Sequence, residues 1–261
     1  MAYVLSEASN GIGTITLDHD AKRNALSRAL IAEFTHVLHT FRAAKTRVVV
    51  VRARPGAKVW SAGHDLNELP QPGSGSDPLA YSDPLERVIR AVQHFPGPVI
   101  GMLDGSVWGG AFELALVCDV LIGTPNVSFA ITPTKIGLPY NSTGLMHFIN
   151  ALGLNTVKEM FFTARPISAE RAAQLGILNH LVAAEDLERV TYEMARAMAA
   201  NSPLSIAVIK EQLRILSSAH PLSPETFERI QSLRQQVFDS HDYLEGTRAI
   251  REKRAPAFTG E

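Results

Sequence analysis

Short runs of β-branched residues alternate along this chain with stretches in which apolar residues recur every three to four positions, the pattern of strands joined by crossover helices. The segment TITLDHD alternates apolar and polar as a half-buried strand does. Leu30, Phe34, Val37, Leu38 and Phe41 then fall on one helical face, and RVVVVRA follows as a continuous run suited to a strand covered on both sides. PVIGML and DVLIGT read as two more such strands. Between them and RVVVVRA, Pro, Gly, Ser and Asp crowd LPQPGSGSDPLAYSDPL, which predicts a mobile loop from Leu69 to about Pro84 within one core, not a linker between domains. From about Glu185 strand signals stop. Leu187, Val190, Met194 and Met198, then Ile206, Ile209, Leu213 and Leu216, mark successive amphipathic helices. The pattern predicts an α/β core over residues 1–190 and a helical region over 191–261, with no internal repeat or heptad array.

Composition narrows the partners. A chain of 261 residues with 46% hydrophobic content buries a full core, which excludes disorder over most of its length. Twenty-five Lys and Arg against 26 Asp and Glu leave a net charge of -1, so no global field draws the chain to nucleic acid or to an acidic membrane, and any anionic ligand must be met by a local cluster. Cys118 is the single cysteine, which excludes an internal disulfide framework and a cysteine-rich zinc site. The histidines show no metal-ligand spacing, so no metal is expected. The first residues lack the pattern of a signal peptide, and no apolar run reaches membrane-spanning length, so a soluble, cytoplasmic protein is expected.

The stretch GSVWGGAFELALVCDVLIG, Gly105 to Gly123, is the place where chemistry is predicted, because Glu113 and Asp119 are the only charges in an otherwise apolar or small run. A buried charge is costly unless it finds a partner or shifts its pKa. The strand PVIGMLDG runs into Gly109-Gly110, where the helical run AFELALVC begins, so the Gly110 N–H stands unsatisfied at a helix start. Glu113, three residues on, leans back toward that opening. The same residues would also suit a tight turn with Glu113 paired to an arginine elsewhere in the chain. A second loop, SAGHDL, follows the strand RVVVVRA; Asp65 with Glu68 reads as an N-cap with a capping-box partner, and His64 presents its N–H at the mouth of that turn. Ligands of open α/β sheets lie beyond the carboxyl ends of strands, so the N–H groups of His64 and Gly110 converging on one oxygen would form an oxyanion hole.

RNALS (Arg23–Ser27), WSAGHDL (Trp60–Leu66), WGGAFELALVCDV (Trp108–Val120) and FAITPTKIGLPY (Phe129–Tyr140), in this order and spacing, resemble the crotonase superfamily, also called the enoyl-CoA hydratase and isomerase family, across nearly the whole chain. The resemblance implies an α/β spiral of βαβ units with a C-terminal helical region that mediates assembly into a homotrimer or a dimer of trimers. It implies an acyl-CoA substrate whose thioester oxygen sits between the N–H groups of His64 and Gly110, with no cofactor beyond the coenzyme A that the substrate carries. Coenzyme A contacts are implied for Lys22, Ala25, Ala62, Asp65, Leu66 and Lys253, and the basic pair Lys253 and Arg254 is implied to reach its phosphates.

One departure from the family's hydratase pattern sharpens the expectation. Hydratases use two glutamates as acid and base. The first matches Glu113; the place of the second, about twenty residues on, is taken here by Pro133, which cannot move a proton. Tyr140 stands where the family usually has glycine. With SAGHDLNELP, DPLAYSDPL, SVWGGAFE, PYN and GILNH, this looks closest to the branch that decarboxylates methylmalonyl-CoA. The reaction so implied is loss of CO2 from methylmalonyl-CoA or malonyl-CoA through a thioester enolate held by the oxyanion hole, a carbon-carbon lyase reaction. Alternatives are an enoyl-CoA hydratase or isomerase and, further off, a non-catalytic acyl-CoA-binding scaffold. Tyr140, Asn141 and His64 are the polar groups expected to hold the departing carboxylate, with Trp60, Trp108, Phe129 and Pro133 as pocket walls. Glu113 either repels that carboxylate or is protonated and donates a hydrogen bond.

Overall fold

The computed structural model describes residues 2–69, 83–218 and 223–260. The loop expected from Leu69 to Pro84 falls almost wholly outside the described residues. Strands β1 (Val4–Ser9) and β2 (Ile12–Leu17) form an antiparallel hairpin whose two turn residues, Asn10 and Gly11, have φ of 52° and 77°, as a tight hairpin turn requires. Helix α1 (Arg28–Ala43) starts where Ser27 accepts the Leu30 N–H, and it buries Leu30, Ile31, Phe34, Leu38 and Phe41. The predicted stripe is therefore the core face, with Ile31 added and Val37 at its margin. Strand β3 (Val48–Ala53) is covered on both sides: Val48 to Val51 are no more than 1% exposed.

From β3 the chain winds as a spiral. Each turn gives one strand to a large sheet and a short strand to a small one: β3 and then β4 (Val59–Ser61); after helix α2 (Pro84–Gln93), β5 (Val99–Leu103) and β6 (Ser106–Trp108); after helix α3 (Gly110–Leu116), β7 (Val120–Gly123) and β8 (Ser128–Ala130). Helices α4 (Ser142–Leu152) and α5 (Leu154–Thr163), strand β9 (Ile167–Ser168), helix α6 (Ala169–Gln174) and strand β10 (His180–Leu181) complete the two sheets. The large sheet runs β1-β2-β3-β5-β7-β10 and the small one β4-β6-β8-β9, with β4, β6 and β8 mutually parallel. This is the α/β spiral of βαβ units with a C-terminal helical region that the resemblance implied.

The helical region follows as α7 (Leu187–Ala199), α8 (Pro203–Ser217), α9 (Pro224–Phe238) and α10 (His241–Arg251). The boundary placed at residue 190 falls inside α7, whose Leu187 and Ala195 cover the second face of the large sheet over Val48, Val50, Ile100 and Met102. Helix α8 carries the second of the predicted apolar stripes. Leu213 and Leu216 of its apolar stripe are 62% and 72% exposed, so much of the stripe is left uncovered by the rest of the chain. What holds α8 is polar: Lys210 donates to the Asp119 carboxylate at 2.7 Å and to the Gly97 carbonyl at 3.0 Å. Asp119 also accepts the Val99 N–H at 2.6 Å, which accounts for the second charge of the apolar run. Among the described residues no helix is long and apolar enough to cross a membrane, and no cluster of His, Cys, Asp and Glu is placed to hold a metal ion.

Hydrogen bonds to charged groups contribute about 1.5–3 kcal/mol each. Lys210→Met, which keeps the aliphatic stem and removes the ammonium, should lower unfolding stability by about that amount in a urea titration. An unchanged midpoint would mean that α8 is held by something other than this lysine.

Candidate active site

Because β4 and β6 are parallel neighbours, their carboxyl ends emerge side by side. β4 continues into Ala62-Gly63-His64 and β6 into Gly109-Gly110. Gly63 and Gly109 have φ of 84° and 57°, a region that side chains disfavour, and the approach is close: a Cβ on Gly63 would strike the Trp108 carbonyl and lie 3.0 Å from Gly110 N. The first loop is fastened from its other side, where Leu26 N–H donates to Gly63 O at 2.8 Å and Ala62 N–H to Arg23 O at 2.9 Å. The second is fastened by Gly109 N–H to Ala130 O of β8 at 2.8 Å. Among the described residues the N–H groups of His64 and Gly110 donate to no group of the chain.

Both residues line a cavity of about 400 Å³, together with Ala62, Leu66, Trp108, Pro133 and Tyr140 of the predicted set. Leu69, Leu85 and Leu138 make its apolar wall, and Lys135 and Ile250 of α10 also line it. Two predicted walls lie elsewhere. Trp60 is fully buried between the sheets, its indole N–H on Met102 O at 3.2 Å, and Phe129 is fully buried against Phe112 at 4.6 Å between ring centres. Both are core residues beneath the site. Asn141 also turns inward: it caps α4 by accepting the Gly144 N–H and donates to Glu86 at 2.6 Å.

The residues implied for coenzyme A divide in the same way. Ala62 and Leu66 face the cavity, and Ala25 lies half-buried in the strand-like stretch beside them. Asp65 caps the single turn Leu66–Glu68 through the Asn67 N–H and lies 3.4 Å from the Lys22 ammonium. Burial works against its charge, but the Asn67 hydrogen bonds and Lys22 outweigh it and hold the carboxyl below its ordinary range. Glu68 does not complete a capping box; it accepts the Arg28 N–H at 2.8 Å and so pins the start of α1. Lys253 is exposed just beyond α10, three residues after Ile250. Arg254 corrects the expectation of a free basic pair, because its guanidinium grips both oxygens of Glu245 at 2.5 and 2.9 Å and lowers that carboxyl to about 2.

Glu113 is wholly buried and does not line the cavity; Tyr140 stands between. The Tyr140 hydroxyl donates to Glu113 Oε2 at 2.5 Å, and His147 Nδ1 lies 2.9 Å from Oε1. His147 Nε2 is in turn 2.9 Å from Gln93 Nε2. The partner of Glu113 is thus a histidine and a phenol, not an arginine. Burial first, then the Glu113 charge, holds the Tyr140 hydroxyl well above the ordinary phenol range, so it remains a donor. A ring cage fixes it, with Phe148 and Phe161 edge-on at 5.7 and 5.3 Å. Glu86 is the nearby second carboxyl, 2% exposed; burial and then the Glu113 charge raise it to about 7, against the Asn141 hydrogen bond. At the cavity, burial opposes charge on His64, but Asp83, 3.7 Å from its Nε2, outweighs burial and raises its pKa.

Glu86, Gln93 and His147 escaped the sequence reading. The signal available was spacing on α2: Glu86 and Gln93, seven residues apart, share one face beside the buried stripe of Leu85, Val88, Ile89 and Val92. His147 carries no comparable mark.

A family model described as enoyl-CoA hydratase/isomerase matches residues 7–261. The chain is 45% identical to methylmalonyl-CoA decarboxylase of Escherichia coli (strain K12) over 99% of its own length and 98% of that protein. It is 32% identical to carnitinyl-CoA dehydratase of Salmonella typhi over the full length of both. Its structure is similar to that of methylmalonyl-CoA decarboxylase in complex with 2-nitronate-propionyl-CoA, with a TM-score of 0.97 and 45% identity over 99% of each chain. It is also similar to the same enzyme complexed with 2S-carboxypropyl CoA, at a TM-score of 0.96 and 45% identity over 99% and 98% of the two chains.

The raised pKa of Glu86 has a consequence for stability. The folded protein keeps this proton up to about pH 7, whereas the unfolded chain loses it near 4.5, so stability declines as pH rises through that interval. Glu86→Gln keeps an acceptor for Asn141 and removes the titration. The variant should match the parent at pH about 4 and exceed it at pH about 8 by up to roughly 3 kcal/mol in chemical denaturation, since one pKa unit is worth about 1.4 kcal/mol. An equal difference at both pH values would refute the shift.

Proposed function

The chain belongs to the enoyl-CoA hydratase/isomerase family, and on that premise we propose that it decarboxylates methylmalonyl-CoA, or malonyl-CoA, to the corresponding acyl-CoA. The observation that carries this reading is the composition of the cavity: two unengaged N–H groups, an apolar wall, a phenol, an imidazole and a lysine, with no carboxylate lining it among the described residues. The 45% identity to a methylmalonyl-CoA decarboxylase supports the choice of substrate. A hydratase needs a positioned acid and base. Here Pro133 lines the cavity, while Glu113 lies behind Tyr140 with both oxygens engaged.

In the proposed reaction the thioester oxygen accepts the N–H groups of His64 and Gly110. The bond from C2 to the carboxyl carbon breaks, its electron pair spreads onto that oxygen as CO2 leaves, and C2 of the enolate then takes one proton from a solvent water, which leaves as hydroxide. Donors preorganised for the developing oxyanion supply the main help, about 10²- to 10³-fold for each. Tyr140 and His64 hold the carboxylate out of the thioester plane so that the breaking bond overlaps the carbonyl π system. Trp108, Pro133 and Leu85 keep that end dry. Glu113, which touches no substrate on this reading, positions Tyr140.

Coenzyme A is read as passing over Ala62 and Leu66, beside the Lys22–Asp65 pair and Ala25, with Lys253 near the cavity mouth for its phosphates. The outward apolar stripe of α8 supports a homo-oligomeric assembly, a trimer or a dimer of trimers, with residues 191–261 as the assembling region. A cytoplasmic location is part of the same reading.

Incubation with methylmalonyl-CoA should release CO2 and form propionyl-CoA, whereas crotonyl-CoA should be hydrated negligibly; efficient hydration without CO2 release would overturn the assignment. Tyr140→Phe, which keeps the ring but loses one charge-assisted hydrogen bond, should slow decarboxylation by about ten- to a hundredfold and leave propionyl-CoA binding nearly unchanged. Equal weakening of both would return Tyr140 to a packing role.

A further inference from the structure

We propose that Tyr140, Glu113 and His147 act as one titrating unit that takes up a proton when a carboxylated acyl group seats in the cavity. This rests on the decarboxylase reading and adds a condition to it. A phenol has a single proton, and that of Tyr140 is given to Glu113 Oε2 at 2.5 Å. The other oxygen of Glu113 faces His147 Nδ1 at 2.9 Å, and His147 Nε2 faces the amide nitrogen of Gln93, also at 2.9 Å. With the Gln93 amide donating to Nε2, the ring proton of His147 sits on Nδ1 and faces Glu113 Oε1, and Tyr140, its one proton committed to Oε2, offers the cavity only lone pairs. A substrate carboxylate placed beside Tyr140 would meet those lone pairs, with the charge of Glu113 one oxygen further back.

Two carboxylates that bracket one hydroxyl cannot both stay ionised without cost, and the site's proton affinity rises. One added proton resolves the conflict. Carried on Glu113 Oε2, it makes that carboxyl the donor to the Tyr140 oxygen and frees the phenol proton for the substrate carboxylate. The route in is through His147. Its ring lines a second cavity of about 510 Å³, on the side of the network away from the substrate, between α8 and the ends of α2 and α3. A proton bound at Nε2, with the Gln93 amide turned to accept it, lets Nδ1 pass its own proton to Glu113, and a half-turn of the carboxyl presents it to Tyr140. No bond to carbon is involved in this uptake.

The charged groups around the unit are Glu86 and Arg90 on α2, Asp119 after α3, and Lys210 and Arg214 of α8, the last three lining the second cavity with His147. Glu86 is the rival for the proton, since it is buried near the network and bonded to Asn141. Gly144 closes the remaining side: a Cβ there would enter the Tyr140 ring and lie 2.9 Å from Glu113 Oε2, so no side chain separates the pair.

Isothermal titration calorimetry at pH about 8, in two buffers of different ionisation enthalpy, measures the protons exchanged on binding. The stable thioether 2-carboxypropyl-CoA should bind with uptake of about one proton per site, and propionyl-CoA, which lacks the carboxylate, with almost none. Glu86→Gln should retain the uptake and Tyr140→Phe should lose most of it. His147→Asn, which keeps a donor toward Glu113 but cannot titrate, should move the alkaline limb of kcat/KM for methylmalonyl-CoA by about one pH unit or more, where a merely structural loss would lower it equally at every pH. Analogue binding without proton uptake, or uptake abolished by Glu86→Gln, would sink the proposal. If methylmalonyl-CoA releases no CO2, the decarboxylase reading falls instead, whatever the calorimetry shows.

Discussion

The parallel pairing of β4, β6 and β8 is the constraint on which the site depends. These strands are only three residues long, and their ladder consumes backbone donors up to their last residues. At Gly63 and Gly109 the backbone then turns through a region closed to most side chains, and the next N–H in each loop faces a cavity instead of a neighbouring carbonyl. Had the strands been antiparallel, the loops after β4 and β6 would leave opposite ends of the sheet. The large sheet contributes indirectly: its valine-rich centre, covered by α1 on one side and α7 on the other, fixes where each turn of the spiral launches its short strand.

The two charges of the apolar run meet their burial in different ways. Asp119 lies at a helix end within reach of an ammonium, so its role is to tie α8 to the core. Glu113 is met instead by a phenol and an imidazole, one at each of its two oxygens. Hydrogen bonds from both sides satisfy the buried carboxylate without a guanidinium beside it.

Elements carried by strong periodicity were legible. The α1 stripe, the valine run of β3 and the two following strands are visible because burial on one face or both writes itself into residue type. The small sheet was not, because three-residue strands show no alternation, and its pocket-facing residue had to be guessed among several aromatics. Trp108, at the end of β6, faces the cavity; Trp60, in the middle of β4, faces the core. Motif register placed His64, Gly110, Pro133 and Tyr140 on one cavity, since loop positions at strand ends follow from order along the chain. Spacing gives no access to contacts such as Glu113 with His147, 34 residues apart and on different helices, or to the capture of Arg254 by Glu245. The α8 stripe shows the same limit: amphipathicity shows that a helix has an apolar side, not what covers it.

Backbone donors cannot be removed by changing side chains, so a pair of N–H groups at this point of the fold offers the same help to any thioester oxygen. What selects a reaction must therefore lie at the acyl end. There, among the described residues, no carboxylate lines the wall: Pro133 is part of the lining and Glu113 is screened by a phenol. For a reaction that adds water this is a defect, because among the described residues no carboxylate on the wall serves as its base. For the proposed decarboxylation it is an advantage with a definite direction. The substrate carboxylate enters apolar surroundings as an anion and leaves as neutral CO2, while the charge migrates to the end of the cavity where the two N–H groups stand. The dry wall disfavours charge where it starts and the donors favour it where it arrives, so both act on the same step.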